Sequence, residues 1–378
     1  MHSVLEGVVK SMFYRWFDQE NSRMECSLRH HMQQIDKRIL NIRPPKYVPT
    51  APRSIYTWKT WRAHEYLSFI IYYSLPVFID IMPDTTHFEH LVKLVVFLEI
   101  ILSREIKKSD LNYAEKIIFE FVKDFNKIYS ESSMLSGVHE LLHLVDCTKY
   151  FGPLNLINLF PYEELNRKCI GVIHGRDLIG EELIKMFSLI QSLASTVSTF
   201  ERESKLIDFI KKQLMFKTSN RKRINLPNAK IVVKLLSKKE ILDEPNILNT
   251  IHKKIHFQLE DIFVFTKIDV NGIIYTSSKF DTKYCDSCFY TTDGIFGNIE
   301  YFFNHNDKFY VIAKQINRLY NPFYWNEESP QQKASISYCC ITNNIIVEEI
   351  INLKKCALIK IDENKFFIST FNTSHLFN

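Results

Sequence analysis

The chain has 378 residues, 46% hydrophobic and 13% aromatic, enough apolar material to fill the cores of two or three domains. Its formal net charge of +5 is too mild to mark a polybasic protein, and nine glycines in this length leave little room for Gly-rich dinucleotide-binding turns. Eight cysteines, at 26, 147, 169, 285, 288, 339, 340 and 356, lack the dense regular spacing of a disulfide framework.

Residues 1–16 carry Glu6, Lys10 and Arg15 on an amphipathic pattern rather than a cleavable signal, so a reducing intracellular compartment is expected. Val4, Val8, Met12, Phe13 and Trp16 recur at helical spacing and predict one buried face. A second, basic helix is expected over 26–43, closed by Pro44-Pro45, followed by an extended linker to Ser54. The apolar run from Tyr66 to Met82 is broken by Pro76 and ends on Asp80. It is too short and interrupted for a bilayer, which needs about 20 residues, so a kinked core helix and no membrane partner are expected. Phe88–Ser103 reads as an apolar helix with Lys93 and Glu99 as its polar interruptions. Ser109 is the expected cap of a helix over Asp110–Tyr129 that buries Leu111, Ala114, Ile118, Phe121, Val122 and Phe125.

The stretch from Val138 to His174 carries the chemistry. His139 and His143 stand four apart, so on a helix both imidazoles lie on one face. The five residues His139-Glu140-Leu141-Leu142-His143 satisfy H-E-x-x-H, in which two histidines hold zinc and the glutamate is general base. A gluzincin-like peptidase would take its third ligand from Glu163 or Glu164, although Gly152-Pro153 and Pro161 interrupt the second helix that such a site uses. The plainer alternative is an amphipathic helix whose histidines are satisfied by hydrogen bonds, in a non-catalytic scaffold. A long helix over Glu181–Gln213 closes the helical part.

Between residues 205 and 254 there are thirteen Lys/Arg against four Asp/Glu, concentrated at Lys217, Arg221, Lys222 and Arg223 beside turn formers. This is either a solvated basic linker or a patch that binds DNA backbone without sequence preference, and a nuclear address is compatible with it. From His256 onward short alternating apolar runs, separated by turn residues, predict a compact β domain, barrel or sandwich. Cys285 and Cys288 have zinc-knuckle spacing without a clear second pair, since Cys339 and Cys340 would face opposite ways on a strand. Tyr301, Phe302, Tyr310, Tyr324 and Trp325 have two readings, base-stacking platform or core.

The segment LLHLVDCTKYFGPLNLINLFPYEELN resembles the HL-x-x-H-L-x-D-x-x-x-x-x-GPL and FP[FY]E-x-x-N blocks of CACTA-type (En/Spm) DNA transposases. IDKRILNIRPP, PRSIYTWKTWRAHEY and IIYYSLPVFIDIMP upstream, and FGNIEYFF downstream, are similar to the same family in the same order. The resemblance implies a metal site, Zn included, at His139 and His143, and makes Glu163 the last carboxylate of a ribonuclease-H-like DDE site. It also implies that the chain begins just past a family aspartate, without the two partner aspartates, so that Mg would bind only if an upstream core were supplied.

The expectation is therefore an α+β protein: a helical transposase-derived domain over 1–215, a basic linker over 216–255 and a β domain over 256–378. Its expected function is that of a truncated or domesticated transposase derivative, nuclear, binding DNA, a transposase-like partner or a second copy of itself, without independent strand transfer.

Overall fold

A computed structural model describes residues 3–48, 50–157, 160–171, 173, 178–199, 223–226, 229–232, 245–254, 263–270, 273–280, 284–306, 308–323, 334–363 and 365–371. The architecture is α+β, helices first and antiparallel sheet after. Two compact units result. One joins Met1–Asn158 to Ile224–Asn378, and the other is Leu159–Arg223.

In the first unit a wide π-type turn, Ser3–Val9, runs into α1, Lys10–Phe17, and buries the predicted face: Val4, Val8, Met12, Phe13 and Trp16 are at most 3% exposed. The basic helix is shorter than expected, α2 covering Met32–Asn41. It buries Arg38 among carbonyls, whose guanidinium donates to Val77 O at 2.7 Å and Ile79 O at 2.8 Å. The run containing Pro76 is divided into α3, Ala63–Ser68, a π-type turn over Phe69–Tyr73, and α4, Ser74–Phe78. The wide turn falls where proline lacks its N–H and crowds the preceding turn, which is the physical cause of the break. No described helix is long and apolar enough to cross a membrane.

Helices α5, Thr85–Ile101, and α6, Lys108–Tyr129, pack side by side. Asp84 caps α5 by accepting from the His87 N–H at 2.8 Å. The expected cap of α6 is corrected: the helix starts one residue before Ser109, whose hydroxyl bonds Asp110 at 3.2 Å instead of a backbone N–H. Leu111 stays off the buried face, which is carried by Ala114, Ile117, Ile118, Phe121, Val122 and Phe125. Between the two helices His90 is buried, stacked on Phe121 at 4.0 Å, and burial lowers its pKa to about 3, so it is a neutral core residue.

Twelve described strands follow: β1 Arg223–Leu226, β2 Ala229–Val232, β3 Phe263–Phe265, β4 Lys267–Val270, β5 Ile273–Thr276, β6 Cys288–Thr291, β7 Phe296–His305, β8 Lys308–Tyr320, β9 Ile336–Glu349, β10 Leu353–Lys355, β11 Ala357–Asp362 and β12 Lys365–Ser369. One sheet has the order β1-β2-β4-β5. The larger runs β10-β6-β7-β8-β9-β12-β11, with β3 added on β7. Register shifts at Ile299/Tyr301 and Lys314/Ile316 bend its long central strands, the usual device for curling a sheet. Phe302, Ile299 and Val311 face a core shared with Phe265, Ile268 and Tyr275, while Tyr301, Phe303 and Ile312 are covered by Ile247 and Ile251 of α11, Pro245–Lys254. Gly297 lets Phe289 lie across β7, since a Cβ there would come within 2.5 Å of the Phe289 ring.

Helical and β parts of this unit are joined by polar contacts of long sequence separation. Both polar interruptions of α5 have partners: Lys93 pairs with Asp124 at 3.2 Å, and Glu99 takes the Ser335 N–H at 2.9 Å and the Ser335 hydroxyl at 2.5 Å. Burial raises the Glu99 pKa to about 7. Between the ordinary glutamate value near 4.5 and about 7 the folded state keeps a proton that the unfolded state has lost. Stability attributable to this group therefore falls as pH rises through that window and is level above it. Glu99→Gln is expected to flatten that slope, worth about 3 kcal/mol across the window, as checked by urea unfolding at pH 4.5 and 7.5.

Candidate functional site

The helix expected around the His pair forms in three short pieces. They are α7, Ser136–Glu140, a 3₁₀ turn over Leu141–His143, and α8, Leu144–Phe151, ended by Gly152 at φ +82°. Val138, Leu141 and Val145 are buried at helical spacing, which leaves His139, Glu140, His143 and Asp146 on the exposed side. The histidines are thus surface residues rather than core ones. Their rings meet edge-on with centroids 5.0 Å apart, and Nε2 of one lies 3.3 Å from Nε2 of the other.

That separation has two chemical meanings. One neutral imidazole can donate its Nε2–H to the other's bare Nε2. Alternatively both bare nitrogens can face one cation: Zn–N bonds of about 2.0–2.1 Å in a tetrahedron give an N–N edge of about 3.3 Å. Two imidazole nitrogens so placed would supply two of the four positions that a borderline divalent ion takes. Among the described residues, no group of three His, Cys, Asp or Glu is placed to hold a metal. Asp146 is engaged with Lys149 at 3.2 Å, and Lys149 also reaches Glu115 at 3.2 Å.

Glu163 belongs to the second unit, in the first turn of α9, Phe160–Gly171, and is exposed. Pro161 does not interrupt this helix as the sequence suggested; it lies in the first turn, where a missing N–H costs nothing, and the acidic pair is helical. An acidic side chain at a helix N-terminus is favoured by the dipole, which is a sufficient structural reason for a glutamate there. The same unit holds α10, Ile179–Thr199, which begins two residues before the long helix expected over Glu181–Gln213 and covers its first part; residues 200–213 lie outside the described residues. Lys217, Arg221 and Lys222 lie outside the described residues, as do Tyr324 and Trp325. Arg223 opens β1, and its side chain is not described.

Of the aromatic platform, Tyr301 and Phe302 are core residues, 3% and 0% exposed, with Phe302 stacked on Phe265 at 5.5 Å. Tyr310 is stacked on Phe303 at 5.2 Å. These rings are committed to packing, so of the two readings Tyr301 and Phe302 take the core one. Cys285 and Cys288 gather with Cys339 and Cys356 in one apolar cluster. Sequence reading paired Cys339 only with its neighbour Cys340 and gave Cys356 no role, since nothing local signals that these strands converge.

No family model, curated protein or solved structure matches the chain.

Proposed function

We propose that this chain is a transposase-derived protein that binds DNA through the basic stretch between residues 205 and 254 and does not by itself cleave or join strands. One observation carries the reading. Blocks similar to CACTA-type transposases succeed one another from Ile35 to Asn166 in family order, around a surface turn that brings His139 and His143 to 3.3 Å. In this reading the pair holds a structural Zn²⁺, and Glu163 is the remaining carboxylate of a site that needs three to clamp two metal ions about 4 Å apart. The basic excess supplies backbone contacts that release counterions and carry no sequence information.

The test is binding of the purified chain to unrelated duplexes over a salt series. Affinity is expected to fall linearly with log salt and to be alike for different sequences. Replacing Lys217, Arg221, Lys222 and Arg223 together by Ala should flatten the slope by about 0.9 per lost phosphate contact. Absence of binding at low salt overturns the reading. With Mg²⁺ or Mn²⁺ no nicking or joining is expected; metal-dependent cleavage abolished by Glu163→Ala would overturn its non-catalytic half. Bound zinc lost in His139→Ala supports the metal assignment. A chelator-sensitive peptidase activity lost in Glu140→Gln would transfer the pair to a zinc peptidase, and a metal-free protein would leave the pair as a hydrogen-bonded scaffold.

A further inference from the structure

In the first unit the opening turn and the start of α1 form one wall, and the start of α7 the other, of a cleft of about 260 Å³. That is room for several waters at about 30 Å³ each, and so for a small organic molecule. Its lining is apolar at Val8 and Val138, each 1% exposed, and Leu135, 51% exposed, adds a further apolar side chain. Gly137 lets the two walls approach this closely, since a Cβ there would come within 3.2 Å of Ser3 O and 3.7 Å of Val8 Cγ2.

The two walls differ in charge. On the α1 side the Ser11 hydroxyl lines the cleft and accepts from Arg15 Nη1 at 2.8 Å. Arg15 is half-buried and fixed in place, Nη1 donating also to Ser11 O at 3.0 Å and Nε to Ser133 Oγ at 2.6 Å. Among the described residues no carboxylate pairs with this guanidinium. A serine oxygen held by a cation keeps its own O–H, polarised, for an acceptor. On the α7 side Glu140 lines the same cleft, exposed and in no ion pair among the described residues. A plain anion would meet the Glu140 carboxylate, and a plain cation would meet Arg15. A molecule that carries both charges is matched on both walls.

We propose that this cleft binds a small zwitterion of free amino-acid size. Its carboxylate accepts from the Ser11 hydroxyl that Arg15 backs, its ammonium donates to Glu140, and its aliphatic part lies on Val8 and Val138. A few placed polar groups around an apolar lining are the general make-up of a small-molecule site. The binding is independent of the basic stretch between residues 205 and 254, which contributes nothing to the lining.

The experiment is titration calorimetry of the full chain with glycine and leucine, then with leucine methyl ester, which keeps only the positive charge, and isocaproate, which keeps only the negative one. Saturable one-to-one binding of leucine is expected, with both single-charge analogues weaker by roughly tenfold or more, the scale of one charge-assisted hydrogen bond. Glu140→Gln, at an exposed position, is expected to lose leucine affinity by a similar factor and to leave isocaproate binding no weaker. Ser11→Ala should weaken leucine and isocaproate together and leave the methyl ester unchanged; should that variant fail to fold, Glu140→Gln decides. Absence of saturable binding of both glycine and leucine, an analogue that binds as tightly as leucine, or unchanged leucine affinity in Glu140→Gln would each overturn the proposal.

Discussion

Phe13→Ala is expected to lower the stability of the first unit by about 3–5 kcal/mol, the range for truncating a fully buried aromatic ring. Phe13 is 0% exposed and lies at the centre of an aromatic cluster. Its ring centroid is 5.7 Å from Trp16, 5.3 Å from Phe17, 5.5 Å from Trp61, 5.2 Å from Tyr66 and 5.2 Å from Phe69. The Phe17, Trp61, Tyr66 and Phe69 contacts are edge-to-face, the geometry that adds roughly 0.5–1.5 kcal/mol per pair beyond burial. Removing the ring leaves a cavity walled by rigid planar groups, which collapse poorly into the space. Phe13→Leu keeps most of the volume and should cost well under half as much. Urea unfolding followed by tryptophan fluorescence reads both variants, since Trp16, Trp58 and Trp61 surround the site. A loss below about 1 kcal/mol for the alanine variant would mean that the cluster closes over the gap.

A comparable loss is expected at a charge. Asp286 is 0% exposed and pairs with Lys355, itself 7% exposed, and more loosely with the exposed Lys46 ammonium at 3.5 Å. Lys355 also donates to Ile274 O at 2.6 Å and lies 5.7 Å from the Tyr275 ring. Deleting the carboxylate leaves a buried ammonium without its counter-charge and frees the Lys46 N–H, so Asp286→Ala is expected to cost about 3–5 kcal/mol. The pair itself is worth far less than that figure, because taking both ions out of water offsets most of their attraction. Asp286→Ala combined with Lys355→Met should therefore recover most of the stability lost by Asp286→Ala alone. The two single variants and the double variant form the cycle that measures this. A double variant no more stable than Asp286→Ala would show that Asp286 acts through the Pro44–Tyr47 segment rather than through Lys355.

Much of the fold was legible because it is written in local periods. A buried stripe at helical spacing located α1 and α6, and alternation located the strands of the C-terminal sheet, since in both cases the side-chain direction follows from the backbone within a few residues. The His pair was legible for the same reason: four residues of helix suffice to bring two rings together. What the period left open were the ends, where a π-type turn replaced a smooth helix before Pro76 and α6 started without the cap its serine suggested.

The amino-acid sequence by itself determined the class of the protein, helices first and an antiparallel sheet after, along with the pairing of His139 and His143 on one helical face and the placing of Phe13 on a buried face. Only the tertiary structure decided what the scattered polar and sulfur groups do. Glu99 meets Ser335, Asp286 meets Lys355, and Cys285 and Cys288 come to lie with Cys339 and Cys356. The physical reason is that these partners stand tens to hundreds of residues apart. Their meeting depends on which strands neighbour one another and how helices dock on the sheet, and no repeat of two or 3.6 residues encodes that.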